Sequence, residues 1–293
     1  MPEALSVLRE FTTRLRRMPG AVLALEPLRK WYCRFPRQMV VADFDGTLLE
    51  VRLDEHMGSQ IFWYGSYSRE VLLVLDRILR PGMLMVDVGA NIGEVGLFAA
   101  KRVGPQGRVI CFEVLRELAD VLRQNAARNG LGMVEVVEAA VADRVGSTPV
   151  FTPAGRFTDG TLHAGLATIY DQEGRSSPSG TVPLTTLDHF LLSRGIDTVH
   201  VIKVDVEGAE LPVLRGAQET LHRARPWLLL EVQRDTCAAA GYDQSDILSF
   251  LEQYGYRFAR IGRRGRLAPL NIPTLGDFQN VLCIPPGAQA VSA

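Results

Sequence analysis

The stretch MLMVDVGANIG, from Met83 to Gly93, constrains this chain more than any other part of it. Residues 83–88 form an apolar run of the kind a parallel strand shows when both of its faces are covered. Gly89 and Gly93 then let the backbone bend tightly and approach a ligand with no Cβ in the way. The next apolar run, RVICFEV, carries Glu113 to its carboxyl end, where an acidic side chain can accept both hydroxyls of a ribose. The turn does not read G-x-G-x-x-G, because Asn91 and Glu94 stand where the second and third glycines belong. Glu94 would put negative charge where a pyrophosphate sits on a helix N-terminus. A nucleoside without phosphates suits the turn better, and S-adenosylmethionine, which carries a sulfonium cation, is such a ligand.

From residue 83 onward strands and helices alternate. Strand-like runs cover 83–88, 108–114, 134–141, 198–206 and 227–233, and helical patterns cover 93–103, 115–129, 209–224 and 245–254. Such alternation predicts a parallel sheet with helices on both faces. The last two strand-like runs, 256–261 and 278–284, are joined by a polar loop with Gly and Pro, so they should pair as an antiparallel hairpin. The expected fold is therefore α/β and doubly wound, a mostly parallel seven-stranded sheet closed by an antiparallel hairpin. This is the Rossmann-like class I methyltransferase architecture. Residues 65–293 would make up that domain, and residues 1–64 a helical and β-ribbon extension that caps it.

The composition permits this: 47% hydrophobic and 22% charged residues in a chain of 293 suffice for one large core. A formal net charge of -1 offers no general attraction for nucleic acid. Cys33, Cys111, Cys237 and Cys283 are scattered, and Cys111 and Cys283 lie in strand-like runs where a buried thiol is the ordinary outcome, so a cytoplasmic location is expected. No apolar run reaches the ~20 residues of a membrane span, and no apolar signal core precedes the first charges. The first residues are basic and amphipathic, with Arg9, Arg14, Arg16, Arg17, Arg29, Lys30 and Arg34 among leucines and aromatics. They can form a cap over the site, a dimer contact, or a peripheral contact with an anionic membrane. Pro19 and Pro27 should break them into short helices, which favours the cap.

The second informative block is VIKVDVEGAE. Ligands of open α/β sheets bind outside the carboxyl ends of the strands, so Asp205, Glu207 and Glu210 should emerge beside the pocket of Gly89 and Glu113. Glu207 and Glu210 can alternatively favour the positive N-terminus of a helix starting near Ala209.

DVGANIG, CFE, AAVAD, IKVDVEGAE, VLRGA and LLLEVQ, in this order, resemble the FkbM family of S-adenosylmethionine-dependent methyltransferases over residues 65–233. The resemblance implies methyl transfer to a hydroxyl of a small molecule, either a sugar or glycan or a secondary metabolite such as a polyketide. It implies that Asp87, Gly89, Asn91 and Gly93 line the methionine and ribose end of the cofactor and that Glu113 takes the ribose hydroxyls. Asp143 falls where a strand-end residue meets the adenine, and Glu70 matches a glutamate that helps to close the site. Val114 departs from the proline usual after the acidic residue, which alters turn stiffness rather than chemistry.

Because the sulfonium methyl is already activated, such an enzyme chiefly aligns an oxygen nucleophile, worth up to ~7–11 kcal/mol, and removes its proton. Candidate bases are Asp205, Glu207 and His163, the last in the segment occupying the place of the family's substrate loop, although an ordinary exposed loop histidine is the favoured reading of it. Glu231 and Gln233, at the tip of the following strand, can hydrogen-bond substrate hydroxyls. Asp205 and Glu207 can instead hold Mg2+, a hard cation that lowers the pKa of a hydroxyl. A non-catalytic S-adenosylmethionine- or nucleoside-binding module, in which the acidic residues only cap a helix, is the alternative.

One further motif, VVADFDGTLL, copies the aspartate-nucleophile signature of haloacid dehalogenase-like phosphatases at Asp43 and Asp45. The methyltransferase core starts too soon after it to leave room for that fold. A β-ribbon turning at Asp45-Gly46, with 48–53 as its return strand, accounts for the same residues.

Overall fold

The computed structural model describes residues 21–33, 39–153, 155–162, 165–171 and 176–289. Its frame is an eight-stranded sheet in the order β12-β11-β13-β10-β9-β3-β4-β5. The parallel part comprises β3 (Leu84–Val88), β4 (Arg108–Phe112), β5 (Val134–Val137), β9 (Val201–Val204) and β10 (Trp227–Gln233). β13 (Phe278–Ile284) inserts antiparallel between β10 and β11 (Arg257–Ile261), as the sequence predicts for the closing hairpin. An eighth strand, β12 (Leu267–Leu270), extends the expected seven by pairing with β11. Its Pro269 discourages a strand assignment, yet an edge strand tolerates proline because one side of its backbone needs no partner.

Successive residues of the central strands feed opposite cores. Met85, Val109, Cys111 and Val201 pack against the helices α3 (Arg69–Ile78), α4 (Glu94–Val103) and α5 (Arg116–Arg128), while Val86, Ile110, Phe112 and Ile202 join a second cluster with Phe190, Leu211 and Leu248. This two-sided burial is why the strands read as unbroken apolar runs.

The extension packs into the first of these cores. α1 (Ala21–Tyr32) is followed by the antiparallel ribbon β1 (Met39–Phe44) and β2 (Thr47–Arg52) and by α2 (His56–Tyr64), and Leu49, Val51, Leu53, Ile61, Phe62 and Trp63 are buried against α3 to α5. Asp45 and Gly46, with φ of 48° and 68°, make the tight ribbon turn. The buried Asn125 on α5 and Asn129, which caps that helix, bond the backbone of Glu50 and Leu48 along one edge of β2. Asp45 pairs with Arg102 at 2.6 Å rather than facing any cleft. Pro27 does not break α1, which runs through it with the ring exposed. Arg29 is buried and bonded to Glu26 and Asp159 at 2.8 Å, so it has no part in a membrane-facing surface. Arg9, Arg14, Arg16, Arg17 and Arg34 lie outside the described residues.

Two expected elements divide. The run 134–141 becomes β5 and a short β6 (Ala140–Val141), and β6 leaves the main sheet to pair with β8 (Ser176–Thr185), which in turn pairs with β7 (Gly146–Pro153). Prolines 149, 153, 178 and 183 hide this ribbon from a reading by pattern. The helix expected over 209–224 is two, α7 (Glu210–Arg215) and α8 (Gln218–Arg223). At the break a Cβ on Gly216 would lie 2.0 Å from the Ala142 carbonyl oxygen, so the chain must pass there bare.

Candidate active site

β3 continues to β4 on one side and β9 to β10 on the other, so the strand order reverses between β3 and β9, and a cleft opens at their carboxyl ends. It encloses about 990 Å³, counted out to its mouth. Its floor is built by the turns after β3, β4 and β9. Gly89 has φ +82°, and a Cβ there would lie 1.9 Å from the backbone oxygen of Asp205, so the first and third turns touch through glycine alone. Asn91 is also left-handed, at φ 51°, and its side-chain oxygen accepts from the Ile92 N–H at 2.8 Å, the local bond that makes this conformation tolerable.

Glu113 is buried on the cleft wall. Its two oxygens accept the N–H groups of Asn91 and Leu115, both at 2.8 Å. Burial raises its carboxyl to about 7 against the pull of those two amides. Beneath the floor, Lys203 is the centre of a buried charge cluster. Its ammonium donates to the Gly89 carbonyl at 2.9 Å and lies 3.3 Å from both Asp87 and Asp205. Burial works against its charge, and the carboxylates of Asp205 and Asp87 outweigh it and hold the ammonium well above its ordinary range. Asp87 is completely buried, and burial pushes its carboxyl up.

Asp205, Glu207 and Glu231 converge above this cluster, with a carboxylate oxygen of each within 4.8 Å of the others. Glu207 is raised to about 8 by burial and then by the charge of Asp205 and Glu210, and Glu231 to about 9 by burial and then by Asp205 and Glu207. Like charges so close cannot all ionise near neutrality, and the cluster retains protons there. The facing wall comes from the extension and from the segment after β7. Glu55, His56, Met57 and Tyr67 stand on one side of it, with Phe157, Leu162 and residues 165–169 on the other. Among the described residues the lining holds five carboxyls and no lysine or arginine. A ligand with a cationic end fits such a lining and a pyrophosphate does not.

Not every expected residue faces the cleft. Gly89, Asn91, Glu113, Asp205, Glu207 and Glu231 line it, and Gly93 lies behind them as the left-handed N-cap of α4. Glu70 lines a smaller groove alongside, which shares Tyr67, Asp205 and Glu231 with the cleft. Asp87 acts from below, through Lys203. Glu210 is not free for a substrate, because its oxygens accept the N–H groups of Val206 and Gly208, both at 3.1 Å, as a helix-start acid does. Asp143 faces Arg144 at 3.2 Å in an exposed turn, because the chain departs with β6 toward the second sheet, and Ala139, Ala140 and Val141 line the cleft in its place. Gln233 is outside the lining too, since the chain turns there into α9 (Arg234–Ala239). His163 lies outside the described residues. Glu94 turns away from the nucleotide turn and accepts from the Ser66 hydroxyl and the N–H groups of Tyr67 and Ser68 at 2.7–2.9 Å, tying down the entry to α3.

The sequence profile described as Methyltransferase FkbM domain matches residues 87–258, more than half of the chain. The chain belongs to the FkbM methyltransferase family. Its sheet has the class I methyltransferase topology, and of the curated relatives it matches the chain spans a tenth of one and under half of another. This FkbM protein is 28% identical over 199 residues to methyltransferase sdnD of Sordaria araneosa, covering 60% of its own length and 74% of that chain. It is 32% identical over 138 residues to nocamycin O-methyltransferase of Saccharothrix syringae, covering 43% and 46%. It matches AMB antimetabolite synthetase AmbE of Pseudomonas aeruginosa at 24% over 230 residues, spanning 68% of this chain and a tenth of the synthetase. The crystal structure of methyltransferase FkbM from Methylobacillus flagellatus superimposes with a TM-score of 0.44 at 16% identity, covering 71% of this chain and 48% of that one. No helix among the described residues is long and apolar enough to cross a membrane.

Site residues without a motif of their own were Lys203, Glu55, His56 and Tyr67. Lys203 carried a signal, a lone cation inside the apolar run VIKV whose burial requires a partner. Glu55 and His56 reach the cleft through tertiary packing of the extension, and Tyr67 from the segment that leads into α3.

Proposed function

We propose that this enzyme methylates a hydroxyl of a small molecule, a sugar or glycan unit or a secondary metabolite, and acts in the cytoplasm. The observation that carries this is one cleft joining two halves, a nucleoside half at Gly89, Asn91 and Glu113 and an acidic half at Asp205, Glu207 and Glu231. Glu113, fixed by two backbone amides, presents its remaining lone pairs to the ribose hydroxyls. Ala139, Ala140 and Val141, which line the cleft beside it, would hold the adenine. When bound, S-adenosylmethionine supplies an activated sulfonium methyl. The chain supplies alignment and an acidic lining that favours the cation. Glu231, Glu207 and Asp205 hydrogen-bond the acceptor hydroxyls, the first two in protonated form near neutrality, where they can donate as well as accept. Residues 65–293 serve as the catalytic domain and residues 1–64 as its cap, a division supported by the reach of Arg29 to Asp159.

The nocamycin enzyme is named as an O-methyltransferase, and NoeI of Sinorhizobium fredii as a 2-O-methyltransferase, which supports oxygen as the methylated atom. In a second reading Asp205, Glu207 and Glu231, whose oxygens lie within 4.8 Å of one another, would hold a divalent cation, Mg2+ by the hardness of its donors, which would lower the pKa of the acceptor hydroxyl. Transfer of radiolabelled methyl to a panel of monosaccharides, phenols and aliphatic polyols, with and without a chelator, tests both. Incorporation that survives the chelator supports the metal-free reading. Calorimetry should find S-adenosylhomocysteine bound and NAD not. Tight NAD binding with no response to S-adenosylhomocysteine would overturn the site assignment.

A further inference from the structure

A histidine in the wall of the cleft carries the machinery of a general base. His56 begins α2, and its ring lines the cleft between Tyr67, edge-on at 5.7 Å between ring centroids, and Phe157 at 4.5 Å. Tyr67 is bordered by Asp205, Glu231 and Glu207, whose charges, after burial, hold its hydroxyl well above the ordinary phenol range. His56 is thereby tied to the acidic half of the site, where the acceptor would sit.

Its Nδ1 lies 3.1 Å from the Thr161 hydroxyl and 3.4 Å from an oxygen of Asp159. Asp159 is anchored in turn. One oxygen takes the Thr161 hydroxyl at 2.6 Å and its N–H at 2.9 Å, and the other takes the buried Arg29 guanidinium at 2.8 Å. Burial opposes its charge, and Thr161 and Arg29 prevail and bring the carboxyl down to about 2. An ionised Asp159 has no proton to give, so the single hydroxyl hydrogen of Thr161 goes to Asp159. The Thr161 oxygen can then only accept from His56, and it accepts Nδ1–H. This proton count fixes the neutral tautomer of His56: Nδ1 carries the hydrogen and Nε2 the lone pair. Carboxylate, imidazole and an oriented tautomer are the parts by which a histidine becomes a base at neutral pH.

We infer that His56, supplied by the amino-terminal extension, is the base that takes the acceptor hydroxyl's proton, with Asp159 and Thr161 as the positioning residues that set its tautomer. This rests on the hydroxyl-methylation reading above. As the acceptor oxygen forms its bond to the methyl carbon, the methyl–sulfur bonding pair returns to sulfur and the hydroxyl proton passes to Nε2. The imidazolium so formed is stabilised by Asp159, and its proton later leaves to solvent. Asp205 suits this role less well, because its carboxylate is engaged by the Lys203 ammonium at 3.3 Å. Glu207 already holds a proton near neutrality.

Two readouts on the full chain test this. Long-range ¹⁵N correlation spectra of the histidines, with S-adenosylhomocysteine bound, should show neutral His56 as the Nδ1–H tautomer in the wild type and a shift toward Nε2–H in Thr161→Val. An Nε2–H wild type would overturn the inference. In the radiolabelled assay with the alcohol panel as probe, His56→Gln should lower kcat by ~10²–10⁴-fold while calorimetric affinity for S-adenosylhomocysteine stays within about threefold. Asp159→Asn should move the acidic limb of the pH–rate profile downward, because the imidazolium loses its carboxylate, while Glu55, Tyr67 and Arg29 stay among its charged or titratable neighbours in the described residues. A merely structural Asp159 would lower the rate and leave the limb in place. His56→Gln at wild-type turnover would sink the inference. Wild-type protein that binds S-adenosylhomocysteine yet methylates no alcohol would refute the hydroxyl reading and the base along with it.

Discussion

Glu207→Gln should stabilise the protein at alkaline pH and leave it unchanged at acidic pH. In the folded chain burial, followed by Asp205 and Glu210, raises the Glu207 carboxyl from 4.5 to about 8. Such a shift separates the two protonation states by ~5 kcal/mol, at ~1.4 kcal/mol per tenfold in proton affinity, and residual solvent contact reduces the usable part to ~2–5 kcal/mol. Below the unfolded value the carboxyl is protonated in both states and costs the fold nothing. As pH rises through the window from 4.5 to about 8 the unfolded chain releases the proton and the folded chain resists, so the wild type loses stability steadily across that window. A glutamine, neutral throughout, escapes the loss. Urea denaturation of both proteins without ligand, from pH 4 to pH 9, should show curves that nearly coincide at the acidic end and separate by ~2–5 kcal/mol at the alkaline end. Removing one negative charge also eases ionisation of Glu231, which adds to the gap in the same direction. A constant offset across the range, or a gap that opens toward acid, would refute the shared-proton account of the cluster.

Lys203→Met leaves the fully buried Asp87 without its ammonium, and urea denaturation should register a loss of ~3–5 kcal/mol, largely recovered in the double variant with Asp87→Asn; a loss under ~1 kcal/mol would mean that Lys203 is not its effective counter-ion. Gly89→Ala forces a Cβ to within 1.9 Å of the Asp205 backbone oxygen at φ +82°, so its melting temperature should drop and calorimetry should detect at least tenfold weaker S-adenosylhomocysteine binding; unchanged binding would show that the two turns can separate freely. Glu113→Ala removes the acceptor of two amides as well as the proposed ribose partner and should cost ~1.5–3 kcal/mol of S-adenosylhomocysteine affinity, whereas an unaltered dissociation constant would place Glu113 outside the nucleoside site.

The nucleotide turn was legible because its chemistry is local: an apolar strand, two glycines and the acid on the next strand lie in one short window. The helix-start alternative considered for Glu207 and Glu210 divides between them. Glu210 caps its loop, whereas Glu207, at φ 51°, turns into the cleft. Asp143 and Gln233 were misplaced because a strand end names a position and not a direction, and the chain swerves at both. The ribbon of β7 and β8 was illegible through its prolines. His56 and Asp159 were illegible for another reason: they are remote in sequence and meet through tertiary contacts, among them the Leu162 N–H donating to the Asp54 carbonyl at 2.8 Å and the Arg29 guanidinium on Asp159.

The ammonium of Lys203 grips a carbonyl from the turn after β3 and a carboxylate from the end of β9. A nucleoside pressing on Gly89 and an alcohol pressing on Asp205 therefore push against one staple. On the proposed reading this floor would govern how the two ligands meet, because neither side of it can shift without dragging the other through Lys203. On the same reading, selection for new acceptors can then rework the opposite wall around His56, Thr161 and Asp159, at residues such as Met57 and Leu166, while this floor stays as it is.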